Sequence, residues 1–275
     1  MSEPGRAGEP ERFNSEMGFT HRIAEGLGLG WGWHAGELSV PGTTFPYASA
    51  MLTYADTLLG LLSSVATAPR LSLTADLRSQ ILSAPPAGPI EMEARLLKSG
   101  RTTTLGRTTY SVPGADAPFA ISFGTFIGSP RPVDLQSPGV LRGGSDEPAD
   151  PATGVTMTRP LADRVGIRVI DAGVAEVDHR ADLLNSSSSI QGGVVAFVAE
   201  VAAQSLATAR AGRMFVVDDL DVRYLRSARV GPARAEARLL QLTDAHALVE
   251  VETRDRGNEN RVVSYVSARC AALDG

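Results

Sequence analysis

The chain has one cysteine, Cys270, one lysine, Lys98, and four histidines among its 275 residues. A single thiol excludes an intramolecular disulfide and fits a reducing compartment. The histidines, at positions 21, 34, 179 and 246, fall at no metal-ligand spacing, so no metal is expected. No basic block offsets the net charge of −5, which argues against nucleic acid as a partner. No apolar run reads as long enough to span a bilayer, and the N-terminal MSEPGRAGEPER has no apolar signal core. The expected setting is the cytoplasm, with no membrane partner. The run GLGLGWG at 26–32 resembles a nucleotide loop only superficially, since it does not follow a strand at the needed spacing; no cofactor is expected. One lysine against many arginines reads as genome composition.

What is present is a phrase written twice. Residues 88–97 read GPIEMEARLL and residues 231–240 read GPARAEARLL. Other landmarks repeat in the same order at nearly the same offset: Asp76-Leu77-Arg78 with Asp221-Val222-Arg223, Ala120-Ile121-Ser122-Phe123 with Val262-Val263-Ser264-Tyr265, and Asp56 with Glu200. A repeat at fixed offset marks a duplicated unit, and two copies imply two small domains rather than a solenoid.

Residues 1–12 read as a disordered tail, 13–130 as the first domain, 131–158 as a Pro/Gly/Ser/Asp-rich linker and 159–275 as the second domain. In the first domain the pattern predicts a short helix over 12–27 and a strand over 31–40. A helix apolar on nearly every side follows over 47–66, then strands near 69–82, 89–99, 103–112 and 118–127. In the second, strands are predicted at 165–171 and 173–180, a Ser-rich loop at 185–189 and a helix at 192–211. Strands near 214–226, 233–243, 246–254 and 261–271 complete it. Strands clustered around one buried helix in each copy indicate an α+β fold.

The stretch VGIRVIDAGVAEVDHRADLLNSSSSIQGGVVAFVAEVA strongly resembles the phenylacetate-type (PaaI-like) acyl-CoA thioesterases, whose pattern is an Asn, a short loop, His-Gly-Gly, and an acid nine residues past the His. Asn185, Gly192, Gly193 and Glu200 match it; Gln191 stands where the family has His. The strand at 215–231 also resembles that family. The resemblance implies a double hotdog fold, two copies of a long antiparallel sheet wrapped around a central helix. It also implies an acyl-CoA substrate, and it leaves open a homo-oligomer of such units.

Thioester hydrolysis needs donors for the developing oxyanion, and the unpaired N–H groups of a helix N-terminus supply them. Gly192 and Gly193 open the second predicted helix, and Asn185 is a candidate amide donor. Each helix also carries one acid in an apolar setting, Asp56 and Glu200, and burying a lone carboxylate is costly unless it is used or paired. The halves differ. Fifteen residues before Asp56 stands Pro41 rather than Asn, and nine before stand Tyr47-Ala48-Ser49. Hotdog thioesterases assemble each site from both copies. The resemblance therefore pairs Asp56, as general base or nucleophile, with Asn185, Gln191 and Gly192, and pairs Glu200 with a turn that lacks the amide donor. Ser72 is placed as a water-orienting hydroxyl, Gln204 as a polar neighbour of Glu200 one turn on, and Arg223, Arg226 and Arg229 as contacts to coenzyme A phosphates. Two rivals remain, an acyl-thioester-binding hotdog without turnover and a hotdog hydratase. The hydratase would need a His five residues after its Asp, where Leu61 and Ser205 stand.

Overall fold

A computed structural model describes residues 13, 15–24, 26–132, 157–185 and 187–273. The first half contains β1 (Thr20–Ala24), β2 (Leu27–His34), α1 (Ala48–Ala66), β3 (Arg70–Ile81), β4 (Gly88–Ser99), β5 (Thr103–Ser111) and β6 (Ala120–Pro132). The second contains α2 (Leu161–Val165), β7 (Arg168–Asp171), β8 (Val174–Val177), α3 (Gly192–Ala211), β9 (Phe215–Tyr224), β10 (Ala233–Leu242), β11 (His246–Asp255) and β12 (Arg261–Ala272).

All twelve strands form one sheet in the order β1-β2-β4-β5-β6-β3-β9-β12-β11-β10-β8-β7. Read outward from its centre, the order is the same on both sides, so the two halves are related by a pseudo-two-fold axis between β3 and β9. Those strands pair antiparallel, from Asp76 opposite Arg223 to Gln80 opposite Asp219. Arg78 clamps the seam, donating to both carboxylate oxygens of Asp219 at 2.9 and 2.5 Å. The repeated phrase falls on β4 and β10, equivalent strands one layer out from the hairpin edges. This is the double hotdog architecture, each half a long helix held in the curve of an antiparallel sheet.

The helices are buried because they are apolar nearly all round. Leu58, Leu59 and Leu62 of α1 are at most 2% exposed, as are Val194, Phe197 and Val198 of α3. By length and composition α3 could cross a bilayer, contrary to the reading that no segment could. In this fold 67% of its most apolar window is buried, as the core helix of the second half.

The chain departs from the predicted elements in three places. Residues 12–27 hold no α-helix; a short 3₁₀ turn, Ser15–Met17, leads into the β1–β2 hairpin. The alternation of glycine with Leu and Trp along 27–34 has period two, and burial alternates with it. The glycines face α1: a Cβ on Gly30 would lie 2.9 Å from Leu58 Cδ1, so any side chain there must displace its neighbours. The predicted strand at 165–171 divides into α2 and β7, because Gly166 adopts φ 77° and ends the helix. Residues 131–132 belong to β6 rather than to the linker. The predicted tail and linker residues 133–156 lie outside the described residues.

Replacing Gly30 with Val forces this contact apart. The unfolding free energy in urea should fall by about 1–3 kcal/mol, the usual cost of overpacking. An unchanged midpoint would contradict the packing described.

Candidate active site

The N-termini of α1 and α3 lie side by side at the pseudo-two-fold, so each helix start faces the body of the other helix. At the start of α3, the Gly193 Cα sits against Thr53 of α1: a Cβ there would fall 2.2 Å from Thr53 Oγ1. Thr53 is held in place by donating to the Ser49 carbonyl at 2.8 Å. Gly192 is partly exposed and Gly193 is buried. Among the described residues, the backbone N–H groups of Gly192 and Gly193 have no acceptor, as expected of a first helical turn without a side-chain cap. Tyr224, at the end of β9, packs over this turn and donates its hydroxyl to the Gly192 carbonyl at 2.9 Å.

Asp56 lies one turn beyond Thr53 on α1 and is partly exposed. Its Oδ1 accepts a 2.6 Å hydrogen bond from the Thr74 hydroxyl. Desolvation holds its pKa above the usual carboxylate value, against the pull of the Thr74 bond. Asp56 is close enough to Tyr224 that its charge, after burial, helps hold the phenol proton well above its ordinary range. Asp56 and the first turn of α3 thus share Tyr224 as a neighbour.

A β-bulge places Thr74. Leu77 and Ser79 point inward, and unbroken alternation would bring Ala75 and Leu73 in after them. The register between β3 and β6 slips between Thr74 and Asp76. Thr74 and Ser72 therefore turn toward α1, while Leu73 is 42% exposed.

The reciprocal end is closed. Glu200 of α3 is fully buried, and its two oxygens accept the N–H groups of Ala48 and Ser49 at 2.8 and 2.9 Å. Those are the α1 counterparts of Gly192 and Gly193. The carboxylate thus occupies the donors that an oxyanion would need. Tyr47 and Phe197, ring centroids 4.6 Å apart and edge-on, seal the same end. Burial pushes Glu200 up to about 7, despite hydrogen bonds from Ser49 and Ala48 that favour the charged form. One methylene separates the two ends chemically: glutamate reaches the opposite helix start, whereas Asp56 is held by Thr74.

The other predicted site residues are distributed as follows. Asn185 is exposed, and its Oδ1 accepts from Ser187 and Ser189 N–H at 2.9 and 3.2 Å, which organises the Ser-rich loop. Gln191 is the residue preceding α3, and its amide donates to the Leu184 carbonyl at 3.3 Å. Ser72 meets Thr67 Oγ1 at 3.3 Å near the end of α1, so the hydroxyl that contacts the acid is Thr74 instead. Gln204 reaches Met214 Sδ rather than Glu200. Arg223 is paired with Asp221 on the outer face of the sheet, opposite the side where Tyr224 meets Gly192. Bridges Ser39–Pro46 and Leu184–Ile190 are equivalent, which makes Val40 rather than Pro41 the counterpart of Asn185, in a loop one residue longer. Tyr224, Thr74 and Thr53 carried no sequence signal; only the register of β3 and the helix crossing bring them here.

Residues 189–261 match the family model described as "Thioesterase superfamily". No curated protein matches the chain in sequence. Among solved structures, a putative thioesterase II from Thermobifida fusca superposes with TM-score 0.60 at 17% identity, over 96% of this chain and 98% of that one. An acyl-CoA thioesterase II from Mycobacterium marinum gives TM-score 0.60 at 13% identity, over 95% and 98%. An acyl-ACP thioesterase from Bacteroides thetaiotaomicron gives 0.57 at 10% identity, over 89% and 97%. These likenesses span both halves and establish the double hotdog fold.

Two outcomes follow from this geometry. Because Glu200 is raised from 4.5 to about 7 in the folded state, the fold binds its proton more tightly than the unfolded chain does. Its stabilising contribution is complete below about pH 4.5 and is lost as pH rises through about 7, amounting to roughly 3 kcal/mol. Glu200→Gln should flatten the urea-stability profile across that window; an unaltered slope would count against the buried carboxylate. Gly193→Ala should destabilise the protein by about 1–3 kcal/mol. Adding Thr53→Ala should recover most of that loss in a double-mutant cycle. Additive losses would mean the two residues do not touch.

Proposed function

Starting from a double hotdog whose second half matches the thioesterase superfamily, we propose that the chain hydrolyses an acyl-CoA thioester to a free acid and coenzyme A. The work is done at one site, between Asp56 of the first half and the α3 N-terminus of the second. The observation that carries this reading is the pairing of two unsatisfied backbone donors, Gly192 and Gly193, with a carboxylate held by Thr74 across the inter-helix contact.

The thioester carbonyl oxygen takes the place of the missing acceptor at Gly192 and Gly193. These N–H groups are aimed and paid for by the fold, and the helix dipole adds to the charge they present. Asp56 removes a proton from a water molecule as its oxygen attacks the carbonyl carbon. Negative charge collects on the carbonyl oxygen against the two donors. Collapse breaks the C–S bond, and the proton on Asp56 passes to the departing thiolate. The same placement serves direct attack by Asp56 followed by hydrolysis of the resulting anhydride. The raised pKa makes Asp56 a stronger base than an exposed carboxylate.

Glu200 has no role in this scheme beyond structure, since both its oxygens are bonded to α1. Asn185 and Gln191 shape the loop and turn that present Gly192. Tyr224 is a positioning residue: its hydroxyl fixes the first turn of α3. The rival, an acyl-thioester binder without turnover, draws on Gln191, which stands where the family has His and donates one amide N–H to the Leu184 carbonyl.

Thiol release from a panel of acyl-CoA thioesters separates the two. Asp56→Asn should lower kcat roughly a hundredfold to ten-thousandfold. Thr74→Val removes a bond to the ionised form of Asp56. The acid limb of the kcat/KM profile should then move to higher pH, with activity lost as pH falls through it. Wild-type protein that binds acyl-CoA and releases no thiol would establish the rival.

A further inference from the structure

The two halves of the sheet differ on their outer faces, and they differ at equivalent positions. Along β2 the glycines and His34 are buried toward α1, while Leu29, Trp31 and Trp33 point away from it, half-buried. The same alternation turns Leu105 of β5 and Ile121, Phe123 and Ile127 of β6 outward. Ile127 is 45% exposed and lies opposite Leu73 of β3, which is 42% exposed. Leu29 and Trp31 border a groove of about 400 Å³ across β2, β4 and β5, rimmed by Glu91, Glu93, Thr109 and Ser111.

The repeated phrase on β4 and β10 gives the equivalences. Trp31 pairs with Glu91, and Glu176 pairs with Arg234, the match of Glu91 in the second copy. Where the first half has a tryptophan, the second has an acid bonded to Arg234 at 2.9 Å. Ion pairs tile the rest of that second face: Arg234 with Glu236 at 2.8 Å, Arg238 with Glu250 at 2.7 Å, and Arg254 with Glu252. A face of paired charges is at home in water, whereas one of Trp, Phe, Ile and Leu is stabilised by leaving it.

The charges on the first face make it complementary to its own copy. Glu93 and Arg95 pair within the chain at 2.7 Å. Glu91 and Arg107 have no partner of opposite charge among the described residues. Glu91 lies in the row Trp31–Glu91–Ser111, and Arg107 in the row Leu27–Arg95–Arg107–Phe123. Between them runs the row Leu29–Glu93–Thr109–Ile121. A two-fold axis along that middle row, lying between two stacked faces, sets the acidic end of one chain over the basic end of the other. Each Glu91 then meets the partner's Arg95 and Arg107, and the contact is made twice. The face spans the strands β1-β2-β4-β5-β6-β3. At the usual strand spacing and rise it covers roughly 650 Å² in projection. Side chains raise the accessible area above that figure, toward the about 800 Å² per partner of a standard interface.

We propose that two copies of this chain dimerise sheet on sheet through the outer face of the first half, leaving the second-half face in water. The helices α1 and α3 lie on the other side of the sheet, so the contact leaves the start of α3 uncovered. This contact is independent of the reaction at Gly192.

Sedimentation and light scattering of the full chain read the mass over a dilution series. The wild type should be a dimer at about 10 μM, since interfaces of this size reach micromolar affinity or tighter. Trp31→Glu and Glu91→Arg should each raise the dissociation constant about tenfold or more, and Glu91→Arg/Arg107→Glu should recover most of the loss, because opposite charges face one another again. Glu91 and Arg107 are exposed, so these variants keep the fold even where Trp31→Glu does not. Thr109 lies on the axis and Cys270 is fully buried, so a short bismaleimide should join Thr109→Cys to its own copy. Glu250→Cys, on the second-half face, should stay unjoined. A monomeric wild type, a dimer indifferent to both Trp31→Glu and Glu91→Arg, or crosslinking through Glu250→Cys instead of Thr109→Cys would overturn the contact. Loss in Glu91→Arg without recovery in the charge swap would overturn the two-fold placement.

Discussion

The contact between Glu200 and the first turn of α1 sets what the two ends of the inter-helix interface can do. A helix start offers donors that must find an acceptor, and a buried carboxylate must find donors. Each satisfies the other here, at 2.8 and 2.9 Å and fully out of solvent. The bond ties the second half's helix to the first half's helix at the pseudo-two-fold. It also occupies the backbone donors at one of two equivalent helix starts.

The other position keeps its donors free because its acid is shorter and is held elsewhere. Asp56 is bonded to Thr74, and Thr74 is available only because β3 bulges at Ala75. Gly193 lets Thr53 approach where a side chain would push the helices apart, and Tyr224 braces the turn from above. A duplicated fold can therefore hold one carboxylate as a structural cap and leave its twin beside free donors, with few differences between the copies. Asymmetry of this kind suits a fused pair, since identical subunits would impose the same acid on both ends.

Much of the architecture was legible in the sequence. The repeated GP-x-x-x-EARLL phrase, the order of Asp56 and Glu200, and the all-round apolarity of 47–66 and 192–211 are consequences of burying two equivalent helices in equivalent sheets. The glycine-alternating run at 27–34 misled because glycine has no side chain to show which face is buried; its partner residues, Leu58 and Met92, do. Thr74 was hidden by a one-residue slip in strand register, which reverses the face of every residue before it. Ser72, two positions away on the same face, was the nearest reading a pattern could supply. Glu200 was identifiable as a buried acid, but its partners are backbone N–H groups of Ala48 and Ser49, and backbone donors leave no trace in residue identity.

One helix start with free donors implies one ligand per chain. A thioether analogue of acyl-CoA, which cannot be hydrolysed, should bind with one equivalent per chain by calorimetry or native mass spectrometry, because only the Gly192 end has free donors. Two equivalents of comparable affinity would contradict the closure of the Glu200 end and the assignment of one working site.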